Sequence, residues 1–181
     1  MGKKIATVQV FRQEAGTGRE RRHDTFEVPW EADRNVLDVL RYIRDHIDGS
    51  LAFRAGCEGP QPSKCGACVV VVNGQPALSC QKSAELAMVV EPHWKFKVIK
   101  DLAVDLRSVV RQDTAREVPN PVSITIDPEL CDGCGDCVAV CPTRVWKLVR
   151  RKAVPDDAQS CCGPDCGQCS QYCPQRAITV S

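Results

Sequence analysis

Cysteine is the residue type whose spacing carries chemistry in this chain. Cys131-Asp-Gly-Cys134-Gly-Asp-Cys137-Val-Ala-Val-Cys141-Pro142 has the C-x2-C-x2-C-x3-C-P spacing that holds cubane iron–sulfur clusters. Three thiolates within seven residues close on three irons of one cube. The fourth, turned away by the proline, serves a second cube. A second cysteine group must therefore exist, and Cys161, Cys162, Cys166, Cys169 and Cys173-Pro174 follow with the same closing cadence.

The thirteen cysteines fall into Cys57, Cys65, Cys68 and Cys80 in front and nine behind, separated by a cysteine-free stretch of 50 residues. Four ligands in front and eight behind leave one surplus thiol, at the adjacent pair Cys161 and Cys162. A C-x3-C166 frame favours Cys162 as the ligand and Cys161 as the surplus, a choice the spacing leaves open. In the crossed arrangement Cys131, Cys134, Cys137 and Cys173 hold the first [4Fe–4S] cluster. Cys141, Cys162, Cys166 and Cys169 then hold the second.

Two plainer readings of these cysteines are weaker. A disulfide framework needs an oxidising compartment, yet no apolar signal core follows the first residues, and a chain of 181 residues buries a core without covalent staples. Zinc ribbons place two cysteine pairs far apart rather than three cysteines in succession before a Cys-Pro.

The composition sets further bounds. The formal net charge is +1, and ligated clusters would make the loaded protein more acidic still, so nothing favours nucleic acid as a partner. The basic stretch Arg19-Glu-Arg21-Arg22 reads as a solvated hairpin tip. No apolar segment approaches bilayer-crossing length, which leads us to expect a cytoplasmic protein that meets a membrane only through partners.

The elements that must position the cysteines follow from periodicity. Residues 5–11 and 24–28 alternate as two strands of a hairpin. Asn35 caps a helix whose stripe is Val36, Leu37, Leu40, Ile43 and Ile47. After the cysteine loop, residues 68–72 and a return strand ending near Cys80 flank an Asn73-Gly74 turn. Short strands are expected at 89–90 and 96–99, then a helix over 102–111 leading out, with the domain boundary at Pro119-Asn-Pro121. Strands at 123–126 and 177–180 flank the rear cysteines. The fold class is α+β: a β-grasp domain (1–118) and a small two-cluster domain (119–181).

The front spacing, C57-x7-C65-x2-C68-x11-C80, resembles that of plant-type [2Fe–2S] domains, in which three thiolates of one loop and a fourth from a return strand hold a two-iron rhomb. Gly66 and Ala67 would let backbone N–H groups approach its sulfurs; an ordinary tight turn uses the same residues.

A more specific resemblance rests on Leu51-Ala-Phe-Arg-Ala-Gly-Cys57, Cys65-Gly-Ala-Cys68, Asn73-Gly74 with Cys80, and Val98-Ile-Lys-Asp-Leu-Ala-Val-Asp105. Over residues 5–110 the chain resembles the amino-terminal domain of the iron–sulfur subunit of succinate dehydrogenase and fumarate reductase. It departs from that family in the seven residues between Cys57 and Cys65, which include Pro60 and Pro62. The small [2Fe–2S] domain of molybdenum hydroxylases shares the cadence but continues into a helical two-iron domain rather than cubane motifs. Behind the boundary, the chain resembles a bacterial two-cluster ferredoxin instead of the longer helical domain of the dehydrogenase subunit. No quinone pocket is therefore carried over, and Trp146 is read as packing beside a cluster.

The three histidines, His23, His46 and His93, are isolated, and no substrate site of the chain's own is recognisable. The resemblance implies a non-catalytic electron-transfer subunit with one [2Fe–2S] and two [4Fe–4S] clusters. It would relay electrons between FAD on a catalytic partner subunit and a further carrier or subunit. A free-standing polyferredoxin is the alternative.

Overall fold

The computed structural model describes residues 4–16, 21–56, 65–110 and 117–181. Cys57 and Arg19 lie outside the described residues. Strand β1 (Ile5–Arg12) pairs antiparallel with β2 (Arg22–Pro29), from Ile5 opposite Pro29 to Arg12 opposite Arg22. Period-two alternation puts Ala6, Val8 and Val10 on the buried face. Helix α1 (Val36–His46) starts where the Asn35 side chain accepts from the Asp38 N–H and the Asp38 carboxylate accepts from the Asn35 N–H. That reciprocal cap stabilises by about 1 kcal/mol. Val36, Leu37, Val39, Leu40 and Ile43 are buried. Ile47, expected on the same stripe, is instead 48% exposed, because the backbone leaves helical geometry at that residue.

Strands β3 (Val69–Val72) and β4 (Gln75–Leu78) form the hairpin that Asn73-Gly74 announces. Both turn residues have positive φ, 51° and 80°, as the tight hairpin turn requires. Strand β5 (Ala87–Pro92) runs parallel to β1 and antiparallel to β3, closing a five-stranded mixed sheet in the order β2-β1-β5-β3-β4. The helix packs on this sheet over a core that includes Val8, Val28, Leu40, Ile43, Met88 and Leu102.

Strand β6 (Phe96–Lys100) pairs with β7 (Ala103–Val109). Where a helix is expected over 102–111, Ala103–Val109 form a strand. Asp101, at φ 47°, turns the chain back, and Val104, fully buried, pairs across from Val98. The turn has no glycine to mark it, so residue patterning alone reads straight through into a helix.

In the rear region, β8 (Ile124–Ile126) pairs antiparallel with β11 (Ile178–Val180), bringing the two ends of the segment together as expected. Between them lie the short helices α2 (Asp136–Val140) and α3 (Gln168–Tyr172) and a hairpin of β9 (Trp146–Val149) and β10 (Lys152–Pro155). The hairpin turns on Arg150 and Arg151, both at positive φ (47° and 61°). Arginine carries no turn signal, so residue patterning does not announce it.

Candidate iron–sulfur centres

Each rear cysteine motif is shaped the same way. A left-handed glycine, Gly135 or Gly167, caps a five-residue helix, so the cysteines on either side of that glycine turn toward a common centre. At the far end the Cys141 sulfur accepts the Val145 N–H at 3.3 Å, and the Cys173 sulfur accepts the Ala177 N–H at 3.4 Å. Such N–H donors stabilise thiolate ligands and tune a cluster's potential.

The thiols enclose two cavities. Cys131, Cys134, Cys137 and Cys173 line one, with Ile126, Ala153 and Ile178 as apolar walls. Cys141, Cys161, Cys162, Cys166 and Cys169 line the other, with Val145 and Trp146 beside them. The cysteine groups predicted from spacing are thus brought together in the crossed pattern, and both members of the adjacent pair border the second cavity. Among the described residues no three histidine, cysteine or carboxylate side chains converge as one metal ion would need. The sulfur-rich donor set at each hollow fits cubane clusters.

Trp146 is buried among these thiols, in one apolar cluster with Cys161 and Cys169. Burial pushes the Cys137 thiol up to about 11 and the Cys161 thiol up to about 12, so cluster binding there must displace protons.

Backbone approach positions the first cavity. The Arg151 carbonyl oxygen lies where a Cβ on Gly133 would sit, at 2.0 Å, so only glycine admits the β9–β10 turn so close to the loop. The neighbouring Lys152 ammonium donates to the Pro128 carbonyl at 2.8 Å and to the Cys131 carbonyl at 2.6 Å. The hairpin that residue patterning does not announce is therefore what clamps the start of this motif.

In front, Cys68 and Cys80 lie together with their sulfurs 3.3 Å apart. That is well beyond a disulfide bond of about 2.05 Å and near the ~3.8 Å edge expected for two sulfurs on one tetrahedral metal with bonds of ~2.3 Å. The hydrogen bond with Cys80 holds the Cys68 thiol down to about 6, ready to ligate as thiolate. Cys65 is exposed at the described end of the loop.

The base of that loop is held by a residue that motif spacing does not single out. Buried Asp101 accepts from Arg12 Nε at 3.1 Å, from the Gln13 N–H at 3.0 Å and from the Ala52 N–H at 2.9 Å. The Leu102 N–H returns a bond to the Ala52 carbonyl. Arg12, only 2% exposed, also reaches Asp48 and Ser50. The signal lies in the Val98-to-Asp105 stretch, where an aspartate precedes an apolar residue between two strands.

Gly66 has a further role. A Cβ there would lie 2.2 Å from Pro142 Cβ, and its φ is +68°, so the front cysteine loop lies directly on the Cys141-Pro142 corner. Cys68, Val69, Leu78, Phe96 and Val104 of the front region share one buried cluster with Cys162 and Cys166 of the rear. Lys95 Nζ donates to the Arg144 carbonyl at 3.0 Å and pairs with Asp157 at 2.9 Å, and Arg144 donates to the Leu106 carbonyl. The front thiols thus abut the second rear cavity rather than the first.

Comparison with known proteins finds two iron–sulfur families along the chain. The family described as "2Fe-2S iron-sulfur cluster binding domain" matches residues 7–111, and a "4Fe-4S binding domain" matches residues 123–146. An uncharacterized iron–sulfur protein of Methanocaldococcus jannaschii is 34% identical over 67% of this chain and 27% of its own length. One subunit of the CoM/CoB fumarate reductase of Methanothermobacter marburgensis is 29% identical over 94% of this chain and 41% of its own length. The fumarate reductase iron-sulfur subunit of Haemophilus influenzae is 28% identical over 94% of this chain and 65% of its own length. The chain therefore spans less than two thirds of each of these relatives. Among solved structures, a chain of the Mycobacterium smegmatis Sdh1 complex in the apo form aligns with a TM-score of 0.50 and 26% identity, covering 57% of this chain and 43% of that one. With the family match extending over more than half of its residues and the cysteines gathered as described, the chain belongs to the 2Fe-2S iron-sulfur cluster binding domain family and carries a 4Fe-4S binding domain behind it.

Proposed function

We propose that the chain is the iron–sulfur electron-transfer subunit of a flavin-dependent oxidoreductase complex of the fumarate reductase and succinate dehydrogenase type. It would comprise a β-grasp plant-type domain (1–118) and a bacterial-type two-cluster ferredoxin domain (119–181). In this reading Cys57, Cys65, Cys68 and Cys80 hold one [2Fe–2S] cluster. Cys131, Cys134, Cys137 and Cys173 hold one [4Fe–4S] cluster, and Cys141, Cys166 and Cys169 hold the other with one thiol of the adjacent pair. Such clusters supply one-electron exchange, which a partner's FAD requires when it trades electrons with a one-electron carrier.

The observation that carries this reading is the serial arrangement of the thiol groups. The front thiols share a wall with the second rear cavity through Cys68, Cys162 and Cys166. The first rear cavity lies beyond, and its Cys134 is exposed. The residues therefore offer a docking end for a flavin subunit at the front loop and an exit toward a further carrier near Cys134. Among the described residues no helix is long and apolar enough to cross a membrane, and any attachment to one would come through partners.

The reading is tested by affinity isolation from the native source under anaerobic conditions, with flavin, iron and sulfide analysis. A larger FAD-containing chain should co-purify, with about ten irons per copy of this chain. A stable flavin-free monomer that reduces several unrelated acceptors would replace this reading with that of a free-standing polyferredoxin.

A further inference from the structure

We infer that Cys161 is the fourth protein ligand of the second four-iron centre, and that Cys162 is a non-ligating thiol sealing the wall between that centre and the front cysteines. The inference rests on the cluster reading above and reverses the preference drawn from spacing.

The rear region is an internal repeat, and its backbone aligns the two halves. From the helix-capping glycine onward the halves match residue for residue. Gly135 and Gly167 are both left-handed caps, Cys141 and Cys173 each accept an N–H four residues on, and Arg144 and Arg176 have φ of 51° and 52°. Ahead of the glycine the match resumes with a different offset. Gly133 and Gly163 share a φ of 78°, and two residues before each stands a cysteine, Cys131 or Cys161. The N–H of each closes a turn, Cys131 onto the Asp127 carbonyl at 3.1 Å and Cys161 onto the Ala158 carbonyl at 3.0 Å. The two extra residues of the second motif are therefore Pro164 and Asp165, after the glycine. On this alignment Cys161 stands where Cys131 stands, and Cys162 where Asp132 stands.

The surroundings of the two thiols differ accordingly. Cys161 is buried with Cys131, Cys137, Cys169 and Trp146, among the thiols of both rear groups. Cys162 is buried against Cys68, Val69, Leu78, Phe96 and Val104 of the front region, in a cluster that also holds Cys166. It also borders a separate cleft with Pro76, Ala77 and Val122. Asp132, its counterpart, faces out of its motif and accepts from the Cys134 N–H and from Gln175. A thiol at this position suits the buried wall because it is small and apolar in character.

The test compares Cys161→Ala and Cys161→Ser with Cys162→Ala and Cys162→Val in the full chain reconstituted anaerobically. The readouts are iron and sulfide content and electron paramagnetic resonance of the reduced clusters. The two-iron signal of the same molecule serves as an internal control for folding, because that region has its own core. Both Cys162 variants should keep the wild-type iron content, and both Cys161 variants should lose about four irons per chain while the two-iron signal persists. Loss of four irons in the Cys162 variants with retention in the Cys161 variants overturns the assignment. Retention in all four overturns it too, since the thiols would then be interchangeable. Wild-type protein that itself binds only about six irons would remove the second four-iron centre, and this inference with it.

Discussion

The front and rear regions bury different things. Among the described residues, the seventeen buried in the front core include no cysteine, whereas four of the nine in the rear core are cysteines. A sheet of five strands with a capped helix excludes enough apolar surface to stand on side-chain packing. The rear region has the size at which a single core is marginal, and its thiols occupy the places where aliphatic side chains would otherwise pack. In the proposed reading, the first region presents a cluster on a finished scaffold, whereas in the second the clusters would complete the scaffold.

The sharpest way to break that comparison is to remove the iron. After anaerobic chelation, amide hydrogen exchange should stay slow in β1, β3 and β5 and become fast across 124–180, because metal binding free energy is folding free energy in a ligand-built region. Uniform protection throughout, or uniform loss, would erase the distinction.

Asp101→Ala attacks the front region from the polypeptide side. It strands the buried Arg12 guanidinium and frees Ala52 at the base of the cysteine loop. Breaking such a pair costs about 3–5 kcal/mol. We expect a large fall in the thermal midpoint of the front region, with loss of the two-iron visible circular dichroism, while the rear cubane signals survive.

Gly66→Ala acts between the regions. The added methyl would meet Pro142 at 2.2 Å with the backbone at positive φ, so the loop and the Cys141-Pro142 corner must part, at about 1–3 kcal/mol for overpacking. Iron content should be unchanged and the thermal midpoint lowered. A midpoint at the wild-type value would show that the contact contributes nothing to stability.

The smallest effect concerns acid. Burial alone would raise Asp157, but the hydrogen bonds from Lys95 and Ser160 win and hold its carboxyl below the ordinary 3.8. A carboxylate depressed in the folded state adds stability above its unfolded pKa and loses it as pH falls through the folded value. The Lys95–Asp157 pair should therefore hold at neutral pH and release only below pH of about 4, and Asp157→Asn should flatten that part of the stability profile. Because the aspartate is partly exposed, the change should be small.

Much of this molecule is written in local pattern. The rear cysteine spacing sets which thiols share a cavity, since a left-handed glycine and one helical turn fix the directions of the cysteines around them. The Asn35 cap, the Asn73-Gly74 turn and the alternation of β1 and β2 are equally local, being set by hydrogen bonds and steric limits within a few residues. The helix expected over 102–111 fails because Asp101 in left-handed geometry, not glycine, makes the turn, and its cost is met by bonds to Arg12, Gln13 and Ala52, remote in sequence. The Arg150-Arg151 turn is illegible for a related reason: Gly133, far back along the chain, makes room for it. Spacing alone could not separate Cys161 from Cys162, because counting residues does not say on which side of Gly163 the insertion falls. Which rear cavity adjoins the front thiols was also beyond reach of the sequence. That adjacency depends on Gly66 meeting Pro142 and on Phe96 and Val104 closing over Cys162, contacts between segments whose separation along the chain carries no periodic signal.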